Sequence, residues 1–170
     1  MQVEAYTEFG VATGNVSPPG GPRDELEADG ALVIDDGQWY PLDGGAPRAL
    51  TSRPVSADDI LLLSMTDDPD VPIHSTWHPI LLEAGPFTVT GELPTQPGFD
   101  PGRALTRPGG TFLLLRDVHV LVRDRPNAAP IDRPYALVNR YAIDRVAADL
   151  TLAFYFPGAV LETPEGRPAA

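Results

Sequence analysis

Phe9-Gly-Val-Ala-Thr-Gly14-Asn-Val16 returns later in the chain as Phe87-Thr-Val-Thr-Gly91-Glu-Leu93, and each version then runs through a Pro/Gly-rich turn into a short Leu-bearing segment. Further on, Ala31-Leu-Val-Ile34 matches Thr111-Phe-Leu-Leu114, and Val55-Ser-Ala-Asp-Asp-Ile60-Leu-Leu-Leu63 matches Val138-Asn-Arg-Tyr-Ala-Ile143-Asp-Arg-Val146. The offset grows only from 91 − 14 = 77 to 143 − 60 = 83. Insertions confined to Pro/Gly stretches are what surface loops between fixed strands tolerate, so the pattern reads as one structural unit made twice.

The chain has 170 residues, room for two units each able to bury only a marginal core. With 20 Pro, 16 Gly and 42% hydrophobic residues, it is expected to be globular, rich in turns and poor in long helices. The fold class that follows is mostly β: two tandem small antiparallel β-barrels or sandwich units with at most short helical turns. The expected division is an acidic first repeat over residues 1–70, a second repeat over 71–158 and a disordered tail over 159–170. No apolar run is long enough to span a membrane and the N-terminus carries no export signal, so a cytoplasmic protein is the default. Zero Cys removes disulfides and thiolate metal sites.

Every one of the 12 basic residues is Arg, which together with the Ala, Pro, Gly and Asp content suggests a high-GC bacterial genome. Charge is distributed unevenly. Residues 1–70 hold 14 acids and 3 Arg, a net 3 − 14 = −11; residues 71–170 hold 10 acids and 9 Arg, a net −1. An acidic first repeat disfavours phosphate backbones there and leaves the cationic patches on the second.

Val3–Val16 reads as one strand bent or bulged at Gly14, Arg23–Ala28 as a helical turn with Leu26 inward, and Asp35-Asp36-Gly37 as a tight turn between strands Ala31–Ile34 and Gln38–Leu42. Thr66–Pro72 is the expected boundary. Ile80–Ala84, Phe87–Leu93, Thr111–Val122, Tyr135–Val138 and Ile143–Val146 follow as strands, with a turn at Asn139-Arg140-Tyr141 and a final strand at Leu150–Phe156.

The order of a strand with a mid-strand Gly (Val89-Thr-Gly91-Glu-Leu93), an apolar strand ending near an Asp (Phe112–Asp117) and a closing Leu137-Val-Asn-Arg-Tyr-Ala-Ile143 resembles the Sm-like small β-barrel. It also resembles uncharacterised bacterial domains of this pattern, which carry no activity over. The resemblance implies two small barrels covering roughly residues 3–65 and 80–156. The Arg-Gly pair of that family is replaced here by Asn139-Arg140 and by Ser56-Ala57, so the RNA-reading positions are missing while the fold analogy stands.

Chemistry-bearing motifs are sparse. His74 and His78 lie four apart, but Pro72 and Pro79 bracket them, and in an extended segment they sit about 13 Å apart, too far to share an ion. No nucleophile motif occurs, and His119 beside Asp117 reads as a surface strand residue. The adjacent pairs Asp35-Asp36, Asp58-Asp59 and Asp67-Asp68 point to opposite faces of a strand and form no dyad. Arg116, Arg123, Arg125, Arg133, Arg140 and Arg145 are interleaved with acids, which reads as local ion pairing rather than a nucleic-acid face.

No catalytic, cofactor or metal site is therefore expected. The sequence points to a non-enzymatic assembly or interaction module, bound to itself as a homo-oligomer or to a larger protein complex, with Trp39, Trp77, Arg116, Arg140 and Arg145 as interaction residues. An acidic repeat facing a neighbour's Arg-bearing repeat gives head-to-tail contacts. The alternatives are a ligand-binding or enzymatic domain with a pocket between the repeats lined by Trp39, Tyr40 and Trp77, and an acidic nucleic-acid mimic.

Overall fold

The structure, a computed structural model, describes residues 1–67, 69, 74–95, 110–124, 129–148 and 155–162. Its N-terminal segment is not one strand but a hairpin of β1 (Gln2–Tyr6) and β2 (Gly10–Asn15). Thr7 makes the break: its hydroxyl accepts from the Phe9 and Gly10 amides and donates to the Gly10 carbonyl, so a side chain folds the backbone back. After the helix α1 (Pro22–Asp29) come β3 (Ala31–Pro41), β4 (Arg48–Ser56), a short 3₁₀ turn and β5 (Leu62–Met65). The second half comprises β6 (Thr76–Ala84), β7 (Phe87–Thr95), β8 (Phe112–Val122), β9 (Ile131–Asn139) and β10 (Arg145–Ala147), and β11 (Val160–Glu162) follows.

α1 runs one residue further at each end than the helical turn expected over Arg23–Ala28. Pro22 starts it, Gly30 at φ 68° ends it, and Leu26 is buried beneath it. The matching segment around 101–106 lies outside the described residues, as does most of the expected strand Leu150–Phe156, of which Tyr155 and Phe156 lie in a turn.

Asp35-Asp36-Gly37 is not a hairpin turn. β3 continues through it, and pairing with β2 jumps from Thr13↔Gln38 to Asn15↔Asp35, a bulge in which Asp36 adopts φ 47°. Gly14 lies opposite; a Cβ there would meet the Asp35 carbonyl at 2.8 Å. The second half repeats the device: pairing of β7 with β8 jumps from Thr90↔His119 to Glu92↔Arg116, with Gly91 opposite and Asp117 at φ 50°. Both mid-strand glycines thus mark bulges, as their place in a strand suggested.

All eleven strands form one open sheet in the order β11-β10-β6-β7-β8-β9-β5-β1-β2-β3-β4. The expected pair of separate barrels or sandwiches is not what the strands build, and the reason is edge use. A strand has two hydrogen-bonding edges; β5 spends one on β1 and the other on β9, so neither is left to close on β4. β10 likewise lies between β6 and β11. Within this continuous sheet each half nevertheless has the same order, its fifth strand beside its first, then second, third and fourth. Part of the tail expected to be disordered from residue 159 is β11, the one parallel pairing among the described residues.

The buried apolar residues form two cores. Alternate residues of β8 and β9 point to opposite sheet faces, so Leu113, Leu115, Ala136 and Val138 join the core of the second half, while Phe112, Leu114 and Leu137 join that of the first. β5 does the same with Leu62 and Leu63. The central strands therefore bury both faces and weld the halves.

Candidate functional site

The joint between the halves is the pairing of β9 with β5, from Leu62↔Val138 to Met65↔Tyr135. At its end the Asn139 amide donates to the Leu61 carbonyl (3.0 Å), and the Asn139 side chain reaches the Ala57 carbonyl (3.4 Å). Tyr6, Leu61 and Leu62 pass from the first half into the core of the second. Tyr6 meets Phe87 edge-on, with centroids 5.3 Å apart and rings at 89°.

A polar network locks the same joint. Glu4 on β1 takes a bidentate contact from Arg133 on β9 (3.0 and 2.5 Å), the Tyr6 hydroxyl (2.7 Å) and the Ser64 hydroxyl on β5 (3.2 Å). Burial pushes the Glu4 carboxyl up, but the hydrogen bonds from Arg133, Tyr6 and Ser64 and the guanidinium charge outweigh it and hold it below its ordinary value. Burial, followed by the Glu4 bond and charge, raises the Tyr6 phenol. A second tie is Glu27 on α1, which accepts from the Thr111 and Phe112 amides at the start of β8 (2.7 and 3.0 Å). Nothing in the sequence signals either tie, since the partners are 129 and 84 to 85 residues apart.

Matching hydrogen bonds show which strands correspond. Ala57 donates to the Gly30 carbonyl as Arg140 does to Thr111, and Leu61 donates to Tyr6 as Asp144 does to Glu83. Ser56 caps the Asp58 amide as Asn139 caps that of Tyr141. β4 is thus the counterpart of β9, and β10 of β5. The same comparison corrects the alignment of the two phenylalanines by one position: Leu42 donates to the Phe9 carbonyl where Arg123 donates to that of Pro86, so Phe87 answers to Gly10.

β9 has β5 on its outer edge, whereas among the described residues β4 pairs only with β3. Beside the open edge of β4 lies a groove of about 620 Å³ lined by Phe9, Trp39, Arg48, Leu50, Arg53 and Val55, among others. Phe9 is 75% exposed there. Trp39 leans over Gly10, where any Cβ would strike its indole, and so fills part of the space that Phe87 fills in the second half.

The other residues expected to make contacts are engaged within the second half. The Arg116 guanidinium stacks on the Trp77 ring at 4.0 Å and bonds Glu92 (2.6 and 2.7 Å), so these two satisfy one another. Trp77 lies on β6, within the second half. Arg140 is 5% exposed, lies 5.6 Å from the Tyr141 ring, and its Nε has no hydrogen-bond partner; it is not a surface contact residue. Arg145 on β10 pairs with Glu83 at 3.6 Å, as Arg123 does at 3.4 Å. These ion pairs mostly cross strands instead of joining sequence neighbours.

Trp39, Tyr40 and Trp77 do not line one pocket: Trp39 and Tyr40 are consecutive on β3 and face opposite ways, and Trp77 is covered by Arg116. The cavity that does lie between the halves, about 380 Å³, is lined by Glu8, Asp58, Asn139, Tyr141 and Asp144. His78 bonds the Thr95 hydroxyl (2.9 Å), His119 bonds Asp132 (2.6 Å), and among the described residues no cluster of three His, Asp or Glu is placed to hold a metal ion. Among them, too, no helix is long and apolar enough to cross a membrane. No protein family, curated protein or solved structure matches the chain.

Proposed function

We propose that this chain is a non-enzymatic assembly module built from two Sm-like units, and that its joining surface is the open edge of β4 with the groove beside it. The observation that carries the reading is the internal joint. In the second half, the edge of β9 takes β5 and the neighbouring core takes Tyr6, Leu61 and Leu62 from the first half. The first half has the equivalent edge and an open groove in the equivalent place, with no strand of the described residues upon them. A partner strand that pairs with β4 and inserts apolar side chains over Phe9 and Trp39 would repeat the contact the chain already makes with itself.

The groove has the composition of a contact surface: two aromatic residues and two Arg beside an unpaired backbone. Burying the Phe9 ring contributes at most about 2 kcal/mol, and the ladder hydrogen bonds supply direction and register. Charge enters differently from what the −11 and −1 sums suggest. Arg48 and Arg53, two of the three Arg of the acidic half, line this groove together with Glu8, Asp58 and Asp59, so the edge presents both signs of charge. The strand at the internal joint, β5, is itself uncharged, with Asp58 and Asp59 before it and Asp67 after it.

A peptide spanning residues 57–67 is the direct probe. Added to the labelled protein, it should shift the amides of residues 48–53, 55 and 56 and those of Phe9 and Trp39. Shifts confined to other strands, or none at millimolar peptide, reject the reading.

A further inference from the structure

The second half has an edge problem of its own. β10, the counterpart of β5, exposes the edge on which a β9-type strand would lie, and β11 covers it. The substitution is made at one backbone atom. Asn139 donates to the carbonyl of Leu61 at the internal joint, and Val160 donates to the carbonyl of Asp144, the counterpart of Leu61 (2.8 Å). β11 therefore takes the hydrogen bond that a fourth strand would make.

We infer that β10 is a second joining surface whose fitting partner is β4 of another copy of this chain, and that β11 is the cap that keeps the two apart. This rests on the reading of β4 as a strand acceptor. Three observations support it. The cap is slight: three residues, parallel, with Val160 58% and Leu161 48% exposed, against an internal joint of four pairs whose β5 side chains are all buried. A strand so short and so little buried is displaceable.

The acceptor geometry is also preserved. Because the Ala57 amide points to β3, that of Ser56 points to the open edge, as the Asn139 amide points to β5. Laid on β10 in the register of the internal joint, Ser56 meets Asp144, Val55 meets Arg145 and Arg53 meets Ala147. Pro54 falls opposite Val146 and removes one donor from the ladder, which keeps the contact weaker than the internal one. Finally, β4 and β10 sit at opposite ends of the sheet, so their pairing is heterologous and adds copies head to tail.

The test is Val160→Pro, which deletes the capping N–H at an exposed position, followed by light scattering behind size exclusion, with circular dichroism to verify the fold. The wild-type chain should elute at monomer mass and the variant as concentration-dependent dimers and larger species. Adding Ser56→Pro should return the variant to monomer. If Val160→Pro unfolds, a chain ending at residue 158 takes its place. A folded variant that stays monomeric while the 57–67 peptide still binds β4 overturns the cap and leaves the proposed function standing; failure of both removes both. Assembly that survives Ser56→Pro places the contact elsewhere and overturns the inference.

Discussion

β9 and β4 occupy the same place in their halves, yet one lies inside the sheet and the other ends it. Their sequences differ where this is decided. The outer end of β9 is Ala136-Leu-Val-Asn139, all buried, and that of β4 is Arg53-Pro-Val-Ser56, with Arg53 and Pro54 exposed. A charge and a missing donor are the usual guards of an edge strand against indiscriminate pairing. The difference teaches that the same backbone position can be a weld or a guarded edge, depending on a few side chains.

The cores show a similar exchange. Phe87, Val89 and Val120 in the second half stand where Gly10, Ala12 and Trp39 stand in the first, so a ring reaches the same region from opposite strands.

The most severe way to break the contrast is Tyr6→Ala. Tyr6 belongs to the first half but fills the core of the second, so its loss should cost about 3–5 kcal/mol and lower hydrogen-exchange protection in β7 to β9, not only in β1. Loss of protection confined to the first half would show that the halves are not welded as described.

Next is Gly37→Ala. A Cβ at Gly37 runs into the Thr13 carbonyl of β2, whereas the corresponding bulge residue of the second half is the buried Val118. The substitution should cost about 2–3 kcal/mol in chemical denaturation. An unchanged midpoint would mean that the two bulges are equally roomy.

Glu4→Gln should cost about 2 kcal/mol near neutral pH by removing the charge that Arg133 reads across the joint. The pH dependence has a definite sign. The Glu4 carboxyl lies below its ordinary value of 4.5 when folded, so its contribution is complete above that pH and is lost as pH falls through the folded value. Urea titrations from pH 6 to pH 3 should show the variant losing less stability than the parent.

The smallest expected effect on stability is that of Phe9→Ser. Its ring is exposed, so the unfolding midpoint should move by no more than about 0.5 kcal/mol. Binding of the 57–67 peptide should nevertheless weaken at least tenfold. Intact binding would remove Phe9 from the docking surface.

Much of the fold was legible locally. Gly14 and Gly91 announced bulges because a glycine inside a strand has few other uses, and Leu26 announced the inward face of a helix flanked by Pro22 and Gly30. Asp35-Asp36-Gly37 misled because the residues that favour a tight turn also favour the left-handed conformation of a bulge, and only the partner strand decides between them. Of the residues expected to make contacts, Trp39 lies in the groove beside β4, while Trp77 and Arg116 cover one another and Arg140 is buried, arrangements set by partners on neighbouring strands that no local pattern reveals. Phe9 was not among the expected contact residues; its match to Phe87 in the repeat is one residue out, and it is exposed where Phe87 is buried.

By itself the sequence determined the β class and the glycines, Gly14 and Gly91, at which pairing shifts, since alternation and glycine act over a few residues. Which strand lies beside which was decided by the tertiary structure alone. A strand edge is satisfied by whatever partner reaches it, and the contacts that settled the matter, β5 on β9, Glu4 on Arg133 and β11 on β10, join residues that no local pattern connects.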